Sequence, residues 1–166
     1  MNKMIEKFVK QGFFSEKEGE YIDSAIKRKE SIVVSGHRSA GIRPLLASLM
    51  AAAKQSFSCQ QVKGFDDLET DADFLLIPGI DDIDFEKLIS EAAAVEDTAL
   101  ITVKEPEHPI SLMKILRMNS KEGKSLGKKF HTLDCKKEND VPYLDKITEI
   151  MLDENGKLHR QTFDSK

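Results

Sequence analysis

Residues 31–50 read SIVVSGHRSAGIRPLLASLM, and the order of chemistry along them decides the fold. Ser31 to Ser35 is a short β-branched run with an apolar centre at Ile32, Val33 and Val34, the pattern of a strand buried on both faces. Gly36 and Gly41 bound a turn. Beyond it Leu45, Leu46, Leu49, Met50 and Ala53 recur at helical spacing and form one apolar stripe. Pro44 suits the first turn of that helix, where its missing N–H is not needed.

Strand, glycine turn and helix in this order match the framework of a P-loop, G-x-x-x-x-G-K-[ST], in which helix-terminal amides meet phosphate. Gly36 and Gly41 have the required spacing. The next two residues depart from it. Ile42 stands where a lysine reaches the β- and γ-phosphates, and Arg43 where a hydroxyl ligates magnesium. Isoleucine carries no charge, and a guanidinium repels a metal ion, so the pattern argues for a framework without hydrolysis. Gly36, His37, Arg38, Ser39, Ala40, Gly41, Ile42 and Arg43 remain a candidate phosphate- or anion-binding loop, because His37, Arg38 and Arg43 add positive charge near a helix start. The alternatives are a solvated loop and an ordinary βα turn that needs glycine for its backbone angles.

The pattern extends outward as one domain over residues 1–166. An N-terminal helix pair occupies 1–30, with Met4, Ile5, Phe8 and Val9 on one face, Gly12 as a break, and Ser15 with Glu18 as a capping box. The α/β core spans 31–118: strands at 57–62, 74–77 and 99–103 alternate with helices at 85–95 and from Pro109 on, the latter with Ile110, Met113, Leu116 and Met118 inward. Such alternation predicts a mostly parallel sheet flanked by helices. Residues 119–140, rich in lysine, read as a surface loop with at most a short strand at 130–133. Residues 141–166 predict a C-terminal β-hairpin around Asn155 and Gly156.

A net charge of −4 argues against a broad nucleic-acid-binding surface. Cys59 and Cys135 match no zinc spacing and read as reduced thiols. No apolar run approaches the ~18–20 residues that span a bilayer, and Glu6 interrupts the amphipathic start, so a cytoplasmic protein is expected.

Residues 5–50 also resemble the start of the motor domain of the type II and type IV secretion and type IV or Tad pilus ATPases. Those proteins carry a helix pair, a strand and a loop of the form SG-x-x-GSGKTT-LL-x-x-L. Ser35 and Gly36, Ser39 to Pro44, and Leu45, Leu46 and Leu49 stand at the corresponding places. Residues 74–80 with the following helix look like the family's Walker B segment, with Pro78 and Gly79 in the Gly-Glu region. Thr102 to Glu105 looks like its Thr-x-His-Ala box, with Lys104 in the histidine's place. The resemblance implies a P-loop, RecA-like core. With these identities replaced it does not imply catalysis, and no catalytic residue is assigned.

The leading reading is therefore a degenerate secretion or pilus ATPase-like domain acting by protein contacts, with such a motor or with itself. The alternatives are a nucleotide- or anion-binding regulator and a weak ATPase in which Arg43 or Lys104 supplies charge. No cofactor is expected, ATP, ADP or an anion being the alternatives, and no resident metal. Asp81, Asp82 and Asp84 read more simply as helix caps than as cation ligands. His108, His131 and His159 have no partner at useful spacing and are expected on the surface. Ser39 lacks a neighbouring base and is not read as a nucleophile.

Overall fold

In the computed structural model, which describes residues 1–165, seven strands form one sheet in the order β2-β3-β4-β1-β5-β6-β7. The strands are β1 (Ser31–Ser35), β2 (Cys59–Gln61), β3 (Phe74–Ile77), β4 (Ala99–Lys104), β5 (Lys129–Glu138), β6 (Val141–Leu152) and β7 (Leu158–Thr162). The first five in that order pair in parallel; β5–β6 and β6–β7 pair antiparallel. The mostly parallel α/β architecture is as the alternation predicts. Ile32, Val33 and Val34 of β1 and Leu75 to Ile77 of β3 are almost fully buried, as strands covered on both faces must be.

The helices are α1 (Lys3–Lys10), α2 (Glu16–Lys27), α3 (Ile42–Ser56), α4 (Phe85–Ala94) and α5 (Leu112–Lys121). α1, α2 and α3 pack on one another, and α4 packs on α5. The capping box forms: Glu18 N donates to Ser15 Oγ at 3.1 Å, and Ser15 N to Glu18 Oε1 at 2.9 Å. Asp84 caps α4, its carboxylate accepting from Lys87 N at 3.1 Å. Among the described residues no helix is long and apolar enough to cross a membrane.

Two expectations need correction. Residues 119–140 are not a surface loop: β5 fills ten of them and lies between β1 and β6. Its buried apolar side chains, Phe130, Leu133 and Cys135, are separated by polar ones, one of them the buried His131, so no continuous apolar run marks it. The hairpin around Asn155 and Gly156 is present as expected, its first strand β6 starting at Val141 after a second tight turn in which Asn139 (φ 51°) and Asp140 (φ 62°) adopt the left-handed conformation. Helix α5 opens at Leu112 under a Ser111 cap rather than at Pro109. That start turns Leu112, Ile115, Leu116 and Asn119 inward and leaves Met118 57% exposed.

Candidate functional site

The carboxyl ends of β1, β3 and β4 lie side by side, the edge at which open parallel sheets place their ligand groups. β1 delivers the glycine turn. Gly36 (φ 151°) donates its N–H to Lys104 O at 3.0 Å, and a Cβ there would stand 2.7 Å from Cys135 O. Only glycine lets the chain leave β1 so close to β5. Arg38, Ser39 and Ala40 form one 3₁₀ turn. Two of its amides have partners inside the loop: Ser39 N donates to His37 Nδ1 at 3.1 Å and Ala40 N to His37 O at 2.9 Å. Gly41 backs onto Phe13 and Pro142. Ile42 has no exposed surface and is a core residue. Arg43, one residue on, is about half exposed.

The ends of β3 and β4 bring together a second set. Glu105 and His108 face each other across the turn Glu105-Pro106-Glu107-His108, with His108 N donating to Glu105 O at 2.8 Å. Proline at the second turn position presets the backbone angle that such a turn uses. His108 Nδ1 lies 2.7 Å from Glu105 Oε1, and its Nε2 lies 2.9 Å from Asp81 Oδ1. Two such contacts take two protons: an imidazolium, or a neutral ring with one protonated carboxyl. Arg43 extends toward the same carboxylate, its guanidinium 3.4 Å from Glu105 Oε1. The Glu105 side chain is only 2% exposed, and its Oε2 has no hydrogen-bond partner. Buried acceptors rarely stay unpaired, so this oxygen marks a place where a further donor is wanted.

Gly79 explains how these groups fit. A Cβ on it would lie 2.6 Å from His108 Nδ1 and 2.7 Å from Glu105 Oε1. Arg38, Arg43, Pro78, Gly79, Asp81 and Glu107 line a cleft of about 490 Å³ whose floor includes Glu105 and His108. On the far side of His108 lies a shallower depression of about 620 Å³, with Asp82 and Ile83 in its wall. Thr102 and Lys104 do not join the cleft. Thr102 is buried and donates from Oγ1 to Ile77 O at 2.7 Å, and the Lys104 side chain is exposed. Among the described residues no three His, Cys, Asp or Glu side chains converge as metal ligands. Asp84 is a cap and Asp81 holds His108.

The expectation of lone surface histidines is overturned for His108 and His131, which are buried. His159 is exposed as expected, though paired with Asp153 at 2.7 Å. His131, on β5, joins Tyr21 of α2 to Glu30: Tyr21 Oη lies 2.7 Å from Nδ1, and Glu30 Oε1 lies 2.8 Å from Nε2. Burial holds the imidazole below its ordinary range, against the pull of Glu30. A neutral ring then donates from Nε2 to Glu30 and accepts from Tyr21. Burial, with Glu149 nearby, raises the Tyr21 phenol to about 12.

Sequence spacing alone leaves these pairings out because tyrosine and histidine are 110 positions apart and aspartate and histidine 27. One local signal was available, Glu-x-x-His across a proline, which brings two side chains to one edge. No family model and no curated protein matches the chain.

Proposed function

We propose that this chain is a P-loop-like domain that does not hydrolyse nucleotide and acts through protein contacts, with a secretion- or pilus-type motor or with a second copy as partner. The observation that carries the reading is Ile42: at the position where the phosphate-binding lysine stands in the resembling motors, the side chain has no exposed surface. A group that reaches phosphate has to project from the helix start, and this one is packed into the core. Two further features support it. Gly36, Ser39 and Ala40 direct their amides to acceptors within the protein, and the sheet order, with β4 between β1 and β3, is compatible with a P-loop-like core.

Phosphate release from magnesium ATP by the purified chain is expected at background, and the chain is expected to retain a motor of the resembling family, or a second copy, in a pull-down with purified components. Turnover above background removes the non-hydrolysing half of the proposal; failure to retain either partner removes the other half. Anion binding without hydrolysis is the second reading, favoured by Arg38, which has no ion-pair partner among the described residues, and by Arg43, whose single contact is long. Calorimetry with ATP and ADP tests it: no heat at millimolar nucleotide, with or without magnesium, rules out a nucleotide at this edge.

A further inference from the structure

The cleft at the strand ends carries opposite charge on its two walls. Arg38 and Arg43 enter from the glycine turn and the start of α3, while Asp81 and Glu107 enter from the segments after β3 and β4. Glu105 lies between them with one oxygen unpartnered. A bare anion meets three carboxylates here, and a bare cation meets two guanidinium groups. A molecule with a charge of each sign, suitably spaced, meets a complementary field at both ends.

The donors and acceptors are available. Arg38 has no partner among the described residues, and Arg43 makes only the 3.4 Å contact, so most of their N–H donors face no protein acceptor. Glu107 has no ion-pair partner among the described residues, and Asp81, 85% exposed on its side chain, makes one bond to His108. The volume, about 490 Å³, falls among those of small-molecule sites. Gly79, where any Cβ would strike His108 and Glu105, keeps the wall beside them free of a side chain.

We infer that this cleft binds a small zwitterion, with an oxyanion seated on Arg38 and Arg43 and an ammonium seated against Asp81, Glu107 and Glu105. Glu105 Oε2 is closed to solvent, and Arg43 stands over the other oxygen. On binding, Arg43 turns from Glu105 to the oxyanion and the ammonium takes its place at the carboxylate. Two sources share this chemistry, amino acids and aminoalkyl phosphates. The inference goes beyond the protein-contact reading and does not depend on it, since neither hydrolysis nor a protein partner enters it.

The test is a nuclear magnetic resonance titration of the full chain, labelled with ¹⁵N, with four probes: β-alanine, O-phosphoethanolamine, inorganic phosphate and ethylamine. At least one zwitterion is expected to shift the amides of residues 36–43, 79–81 and 105–108, and to bind about tenfold or more tightly than phosphate or ethylamine. The tighter of the two zwitterions identifies a carboxylate or a phosphate as the oxyanion. Arg38→Ala, which removes no internal contact, is expected to keep the wild-type unfolding midpoint and to weaken zwitterion binding by about tenfold. Phosphate or ethylamine binding as tightly as the zwitterions overturns the inference, as does an Arg38→Ala variant that binds undiminished. The absence of shifts with all four probes at millimolar concentration overturns it as well.

Discussion

Glu105 and His108 stand three residues apart across a proline turn, and their side chains meet at 2.7 Å although both are nearly closed to solvent. The pair is held from outside the turn. Asp81, from the segment after β3, takes the second ring nitrogen, and Arg43, from α3, takes the same carboxylate oxygen. Two strand ends and a helix start are tied together through one imidazole and one carboxylate.

Gly79→Ala tests this packing. The added methyl meets His108 Nδ1 at 2.6 Å and Glu105 Oε1 at 2.7 Å, so it must displace a buried hydrogen-bonded pair. A loss of about 1–3 kcal/mol is expected in urea denaturation, the range for overpacking a tight site. Gly64→Ala is the control: nothing lies within 4 Å of its Cβ, and its φ of −174° is ordinary extended backbone. Its midpoint should match or slightly exceed that of the wild type.

The Tyr21–His131–Glu30 set predicts a loss of stability in acid. His131 sits below its ordinary value of 6.5 because it is buried, so the unfolded chain takes up that proton first. Stability from this group is complete above about pH 6.5 and falls as pH drops below it. Burial pushes Glu30 up, but hydrogen bonds from Arg28 and His131 leave it below its usual 4.5, which adds a loss at lower pH. His131→Phe should cost about 1–3 kcal/mol at neutral pH, by removing the partner of two polar groups, and should flatten the decline just below pH 6.5. Urea midpoints across that interval check both.

Lys128 predicts a slope of the same sign in alkali. Its ammonium donates to Ala93 O and Val95 O at the end of α4, and burial draws it down from 10.5 to about 8. Between those values the unfolded chain binds the proton more tightly, so this group makes stability rise with pH. Lys128→Met should remove that rise and, by taking the donor from Val95 O while Ala93 O keeps Ser125 Oγ at 2.8 Å, cost about 1 kcal/mol at neutral pH. A difference curve of unfolding free energy, wild type minus variant, isolates the effect from that of Tyr21.

The turn joining β5 to β6 places Asn139 and Asp140 at positive φ, where asparagine followed by glycine is favoured. Asp140→Gly relieves a side chain from that conformation and should be neutral or stabilising by up to about 1 kcal/mol. Among the described residues it removes an ion pair to Lys137 at 3.8 Å, on a carboxylate that is 98% exposed. Asp140→Val should destabilise by about 1–2 kcal/mol, because β-branching is poorly tolerated there. Thermal unfolding of the two variants would rank them.

What the sequence determined by itself is local. The β-branched run of β1, the glycine turn, the stripe of α3 and the capping box of α2 each depend on neighbours within a few residues, and the alternation of such elements implies a mostly parallel sheet. Tertiary structure decided what depends on distant partners. β5 is a strand because β1 and β6 flank it, although seven of its ten residues are polar and lysines crowd its ends. His108 and His131 look solitary along the chain because Asp81, Tyr21 and Glu30 reach them only after the sheet has formed. Burial then gives those contacts their weight, since a polar group removed from water must find its partner within the fold.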